Sequence, residues 1–206
     1  MLTLYYTKGT CAEVVLTMAN ALEIELNVVT VNLSQPIPEL EDGTNFYNIN
    51  PKGYVPALQL ENGEIITEVA AICAYLSELK PGNTLFPLSG KGLIDQIQWF
   101  NFIATEIHKS LMPFFFRLFG KETGDEWIKV FGAILNARYK YLNNLLANQP
   151  FLAGNTMTSA DIYLNLTLTW AKVVSVDLSE FKHLTQYKAR MKEALHSHHP
   201  LQNSIS

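Results

Sequence analysis

Strand signals stop near residue 87, and that asymmetry constrains the fold more than any other feature of the chain. Before Pro87, short β-rich runs alternate with helical patterns; after it, only long helical patterns remain. Such a division predicts an α/β unit followed by an all-helical one. Leu2 to Thr7 is short, aromatic and β-rich and reads as a strand, broken by Gly9 and Thr10. Thr10-Cys11-Ala12-Glu13 then has the form of a capping box, with Thr10 as N-cap and Glu13 reaching back. Val14, Val15, Met18 and Leu22 follow at helical spacing, and the valine-rich run Leu26 to Leu33 predicts a second strand. Strand, helix and strand of these lengths make a βαβ unit with parallel strands.

Residues 34 to 54 are rich in proline and asparagine and read as a long connection, with one helical turn expected at Pro38 to Asp42. Val55 to Leu60 and Ile65 to Thr67 then form a hairpin, for which Asn62-Gly63 predicts a type I′ turn. Glu68 to Leu79 is a helix with Val69, Ile72, Cys73, Leu76 and Leu79 on its buried stripe, stopped by Lys80-Pro81-Gly82-Asn83. Further helices are expected from Leu93 to about Phe119, bent at Pro113; from Glu126 to Asn148; from the capping box Thr158 to Asp161 through Trp170 to about Val173; and from Leu184 to His196. The expected division is residues 1–80, a linker at 81–90, and an all-helical domain at 91–206.

Composition narrows the function classes. A chain of 206 residues with 48% hydrophobic and 17% charged residues is globular. Its formal charge of −4 offers no basic excess for nucleic acid, and no polybasic run addresses an anionic membrane. No stretch reaches the roughly 18 apolar residues of a membrane span, and the N-terminus does not read as a signal peptide. Two cysteines, Cys11 and Cys73, are too few for a disulfide scaffold and too far apart for a metal knuckle, so no metal and a reduced, cytoplasmic setting are expected.

Cys11 starts a helix, where free N–H groups and the helix dipole favour a thiolate. Asn101, Thr105 and His108 fall at i, i+4 and i+7 and are expected on one face among Trp99, Phe100, Phe102 and Ile103. The plainer reading of Glu106 and Lys109 is a surface i, i+3 ion pair worth ~0.3 kcal/mol. Leu111 to Phe119 is unusually aromatic and reads as helical core or, with Trp170, as an apolar pocket wall. Asp161 reads as a structural cap residue, Cys73 as an inert buried thiol, and His196, His198 and His199 as a frayed tail.

Four stretches together carry a resemblance over nearly the whole chain: Tyr6 to Cys11 (YTKGTC), Asn50 to Leu58 (NPKGYVPAL), Thr67-Glu68, and Trp99 to Lys109 (WFNFIATEIHK). They resemble the glutathione transferase superfamily, and within it the bacterial beta class. The resemblance implies an N-terminal thioredoxin-like domain (βαβ-ββα, mixed sheet) followed by a C-terminal helical bundle. It implies catalytic roles for Tyr6, Cys11, His108 and Lys109. Val55, cis-Pro56, Glu68 and Val69 would hold glutathione, and Asn101 and Glu106 would reach the glutathione of the partner in a homodimer. Met112, Phe115 and Trp170 would line the acceptor pocket. The implied reaction conjugates the glutathione thiolate, as co-substrate, to small apolar electrophiles. Two departures stand out: Ala12 and Val69 replace the usual serines. A glutathione-dependent thiol oxidoreductase or peroxidase using Cys11, or a non-enzymatic ligand-binding protein, are the alternatives.

Overall fold

The computed structural model describes residues 1–198, in two compact units that meet in sequence between Leu88 and Ser89. In the first unit, β1 (Thr3–Tyr6) is the central strand of a five-stranded sheet of order β3-β2-β1-β4-β5. It pairs in parallel with β2 (Asn27–Asn32) and antiparallel with β4 (Ala57–Gln59). Leu4 and Tyr5 point to opposite faces and both are buried, so β1 is covered on both sides. The parallel β1–β2 pair needs a crossover, supplied by α1 (Ala12–Ala21). This is the expected βαβ unit. Val14, Val15, Met18 and Leu22 are all buried, as their spacing predicts.

The connection at 34–54 differs from expectation. Pro38 to Asp42 forms no helical turn; Glu39–Leu40 is instead a short strand, β3, antiparallel to β2. The helical turn lies later, at Phe46–Asn48, where the Asn45 side chain accepts from the Tyr47 N–H at 2.9 Å. Edge pairing to β2 satisfies backbone groups that a lone turn at Pro38 would leave to water.

The β4–β5 hairpin, completed by β5 (Ile65–Thr67), is also closed differently from the sequence expectation. A type I′ turn needs positive φ at both central residues, but only Gly63 has it, at +87°. Leu60 O accepts from Gly63 N at 2.9 Å and Leu60 N donates to Glu64 O at 2.8 Å, which makes a three-residue loop with a glycine bulge. Asn62 instead uses its side chain, accepting from the Glu64 N–H at 3.0 Å.

α2 (Val69–Glu78) buries Val69, Ile72, Cys73 and Leu76, but Leu79 is exposed because the helix has already ended. Pro81 to Leu88 is bonded into place and is no free connector: Ser77 Oγ donates to Phe86 O, and Asn83 Nδ2 donates to Ser77 O and Lys80 O.

The second unit holds α3 (Gly90–Phe102), α4 (Lys109–Leu118), α5 (Asp125–Leu145), α6 (Ser159–Val173) and α7 (Lys182–His198). The helix expected over 93–119 is interrupted by a π-helical stretch, Ile103–His108, with Ile103 and Ile107 fully buried. Pro113 sits inside α4, one turn beyond that stretch, and withholds the N–H that the carbonyl at 109 would take. His199 lies outside the described residues. No helix among the described residues is long and apolar enough to cross a membrane.

Asp161 locks this unit. It is fully buried at the start of α6 and completes a capping box with Thr158. Its Oδ1 accepts from Leu152 N at 2.8 Å and Tyr187 Oη at 3.0 Å; its Oδ2 accepts from Thr158 N and Oγ1, both at 2.9 Å. Burial pushes its carboxyl pKa up against these four donors, which pull it down. Asp161→Ala strips three of them of this acceptor and leaves Tyr187 Oη only the residue 161 carbonyl, and chemical denaturation should show a loss of about 3 kcal/mol or more. Asp161→Asn keeps part of the set and should lose clearly less.

Candidate functional site

In the first unit, the turn from β1 into α1 carries the thiol. Cys11 occupies the N-cap position of α1, in αR geometry, with Ala12 the first helical residue. Thr10 and Glu13 do not form the expected capping box. Thr10 Oγ1 donates to Thr7 O at 2.7 Å and accepts from Ala12 N at 3.3 Å. Glu13 Oε1 reaches past Thr10 to accept from Gly9 N at 2.9 Å and from Tyr6 Oη at 2.7 Å. The left-handed Gly9, at φ +80°, aims its N–H back at that carboxylate. Burial first, then Glu13 as acceptor and as charge, push the Tyr6 phenol pKa up. Tyr6 therefore stays protonated and acts as a donor.

Cys11 is half-buried, and its Sγ donates to the Val55 carbonyl at 3.5 Å. Val55 and Pro56 are buried immediately before β4, and the bond between them is cis, as the resemblance implied. The antiparallel pair Tyr5↔Ala57 brings this turn alongside the end of β1. A thiol at a helix start and a peptide-like backbone edge thus lie together. By contrast, Cys73 is fully buried in α2, and burial pushes its thiol pKa well up, which makes it inert.

Glu68 is the N-cap of α2 at φ +73°, a left-handed conformation unusual for a residue with a side chain. Its exposed carboxylate is held by Lys52 Nζ at 2.7 Å, which also donates to Thr67 Oγ1 at 2.9 Å. Val69, next along, is buried. Lys52 was not singled out from sequence; it lies sixteen residues away, and only the fold brings it in.

In the second unit, the expected shared face of Asn101, Thr105 and His108 breaks up. Asn101 and Thr105 are exposed and bond back along the helix, to Ile97 O at 2.8 Å and Asn101 O at 2.9 Å. His108 turns inward, because the wider i→i+5 turn of the π stretch shifts it around the axis. Its Nδ1 lies 2.6 Å from Tyr163 Oη, and its ring lies 4.7 Å from Trp170, centroid to centroid. With the phenol donating, Nδ1 accepts and the proton sits on Nε2. Phe115 packs edge-on against Trp170 at 5.9 Å, and half-buried Met112 lies one turn before it. The Trp170 indole N–H is buried without a hydrogen-bond partner among the described residues. Tyr163 was missed from sequence, although its i, i+7 spacing to Trp170 places both on one face of α6. Lys109 is exposed. Glu106 pairs with Arg138 at 2.6 Å and not with Lys109. Arg138 lies in α5, and no short-range signal connects it to Glu106.

Comparison with known proteins assigns each of the two units to a family model. Residues 10–79 match the model of the glutathione S-transferase N-terminal domain, and residues 107–194 that of the C-terminal domain. The chain is 33% identical over 191 residues to glutathione S-transferase GstA of Escherichia coli O157:H7, covering 92% of each. The chain belongs to the glutathione transferase family. Among solved structures, it matches a sphingomonad glutathione S-transferase complexed with glutathione at 27% identity and TM-score 0.84, covering 95% of this chain and 98% of that one. A bacterial beta-class glutathione S-transferase of Sphingomonas chungbukensis gives 27% identity and TM-score 0.84, covering 95% and 96%. The protein is thus a glutathione transferase of the bacterial beta-class type, with a thioredoxin-like N-terminal domain and a helical C-terminal one.

The electrostatics of His108 in this glutathione transferase give a direct test. Burial first, and then the Lys109 charge, lower its pKa from 6.5 to about 4. Between those values the unfolded chain takes up the proton first. Stability is therefore whole above about pH 6.5 and falls as pH drops toward 4. NMR titration of the imidazole should give a midpoint near 4, and His108→Gln should remove this part of the acid destabilisation. A midpoint near 6.5 would refute the assignment.

Proposed function

We propose that this glutathione transferase binds glutathione along the Val55–Pro56 edge and transfers its thiolate to small apolar electrophiles, in the manner of a detoxification enzyme. The observation that carries this reading is the Cys11 thiol at a helix start, 3.5 Å from the Val55 carbonyl at the entry to β4. An extended tripeptide pairs with such an edge like an added strand. The Val55 carbonyl has a second lone pair, so a peptide N–H can bond there alongside Cys11. Glu68 takes the γ-glutamyl ammonium, displacing Lys52, and the Val69 N–H at the start of α2 faces the carboxylate. A side-chain hydroxyl is missing at Val69, as it is at Ala12.

In the reaction, the glutathione thiol gives up its proton. The thiolate attacks the electrophilic carbon, and the leaving group departs with its electron pair. Cys11 and the start of α1 lie beside the negative sulfur and favour it, and Tyr6, whose one O–H is taken by Glu13 Oε1, braces the same turn. Met112, Phe115 and Trp170 form the apolar acceptor surface. His108 and Lys109 serve the acceptor: a neutral imidazole can take or give a proton, and the ammonium attracts a departing anion. We further propose a cytoplasmic homodimer in which Asn101 and Glu106 address the partner's glutathione. Glu106 is held by its bond to Arg138.

Capture on immobilised glutathione, with intact-mass analysis of the eluate, tests the binding. Wild type and Cys11→Ala should both be retained; after exposure to glutathione disulfide, only wild type should carry a reducible glutathione adduct, formed as the Cys11 thiolate displaces one glutathione thiolate. If glutathione's own thiolate is the nucleophile, Cys11→Ala keeps most of its activity with a model electrophile. Complete loss would instead assign the attack to Cys11. No retention at millimolar glutathione would overturn the reading.

Glu68 separates binding from stability. Both partners of the Lys52–Glu68 pair are half or more exposed, so Glu68→Ala should cost well under ~1 kcal/mol of folding free energy. Its glutathione affinity should nonetheless fall about tenfold or more in calorimetry, the loss of one charge-assisted contact. Unchanged affinity would remove Glu68 from the site.

A further inference from the structure

The loop leading into the Val55–Pro56 turn fixes the backbone of Lys52. Asn50 is buried at its start; its Nδ2 donates to Tyr54 O at 2.7 Å, and its Oδ1 accepts from Lys52 N at 3.2 Å. Gly53 turns the chain at φ +67°, where an added Cβ would stand 2.6 Å from the Tyr47 ring. The antiparallel pair Ala57↔Thr67 sets the end of β5 beside the start of β4. Loop and register together deliver the Lys52 ammonium to Thr67 Oγ1 at 2.9 Å and to Glu68 Oε1 at 2.7 Å.

The fold gains little from this contact, since the two side chains are 50% and 71% exposed and such pairs are screened by water. What the pair supplies is two opposite charges, side by side, at the start of α2 and close to the backbone edge that receives a peptide. The γ-glutamyl end of glutathione carries the same two charges on one carbon, an ammonium and a carboxylate. If that end met Glu68 alone, the Lys52 charge would lose its partner. The carboxylate would then rest on backbone N–H groups only, because Val69 has no hydroxyl to offer. If Lys52 turns from Glu68 to the carboxylate, every charge keeps an opposite neighbour. A lysine suits this change of partner: its ammonium is a compact charge with three donors on a flexible stem and needs no fixed fork geometry. The start of α2 favours the same anion through its N–H groups and the positive end of its dipole.

We propose that Lys52 binds the α-carboxylate of the γ-glutamyl residue, in place of the hydroxyl that Val69 lacks, and with Glu68 makes this end of the site specific for an amino-acid zwitterion. This role of Lys52 rests on glutathione binding along the Val55–Pro56 edge and names the residue that reads the carboxylate there.

Calorimetric titration of the full chain with glutathione and two analogues tests it: 4-aminobutyryl-cysteinyl-glycine, which lacks the α-carboxylate, and glutaryl-cysteinyl-glycine, which lacks the α-ammonium. Lys52 is half exposed, so Lys52→Met should fold as wild type does. Lys52→Met should weaken glutathione binding about tenfold, the worth of one charge-assisted contact, and should weaken the glutaryl analogue as well. Its affinity for the aminobutyryl analogue should equal or exceed that of wild type, because no carboxylate is there to lose. Lys52→Arg should restore glutathione binding. Tighter glutathione binding by Lys52→Met would make Lys52 only a competitor for Glu68 and overturn the proposal. Unchanged glutathione affinity, or an equal loss for glutathione and the aminobutyryl analogue, would overturn it too. Wild type that binds none of the three peptides at millimolar concentration would overturn the glutathione reading itself, and this role of Lys52 with it.

Discussion

The antiparallel pairing of β1 with β4 is the constraint on which the N-terminal site depends. Opposing Tyr5 with Ala57 carries the Val55–Pro56 turn to the end of β1, where the chain bends into α1 and Cys11. A slip of one residue would exchange the inward and outward faces of β4 and move the Val55 carbonyl away from the thiol. The register is protected by the core beneath it: Tyr5, Ala12, Val31, Phe46, Val55 and Ala57 form one buried cluster, with Tyr5 and Phe46 rings 5.5 Å apart. The same contacts that exclude water therefore assemble the site.

The helical unit divides its buried polar groups between two tasks. Asp161 spends its acceptor capacity on backbone and side-chain donors that close the start of α6, so it holds structure. His108 has one ring nitrogen fixed by Tyr163 and rests against Trp170, in a place that keeps it neutral. A neutral imidazole beside an indole N–H that has no partner among the described residues is costly as packing and useful as chemistry. The π stretch preceding α4 permits this, because a regular helix would carry His108 toward the face of Asn101 and Thr105.

Much of this was legible in the residues. Leu4-Tyr5, the Val14–Met18 spacing and the Ile72–Cys73–Leu76 stripe announce elements by periodicity, since burial of one face leaves a local imprint. The capping box at Thr158–Asp161 is equally local. The misreadings share a physical cause. Glu13 passes over Thr10 because Gly9 and Tyr6 offer it better-placed donors. Asn62 keeps an ordinary φ because its side chain can bond Glu64 instead. Glu39 and Leu40 pair with β2 rather than coil, and Glu106 finds Arg138 across helices rather than Lys109 along one. In each case a partner distant in space or a competing hydrogen bond outweighs a local propensity worth a few tenths to ~1 kcal/mol.

By itself, then, the order of residues determined the two-part architecture, the βαβ opening, the helix stripes and the family motifs around Cys11, Val55-Pro56 and Glu68. These follow from periodicity and from short spacings, which depend only on neighbours along the chain. Tertiary structure alone decided that Lys52 holds Glu68, that His108 meets Tyr163, and that Glu106 meets Arg138. Those outcomes depend on distances between side chains sixteen or more residues apart, which packing sets and no local pattern encodes.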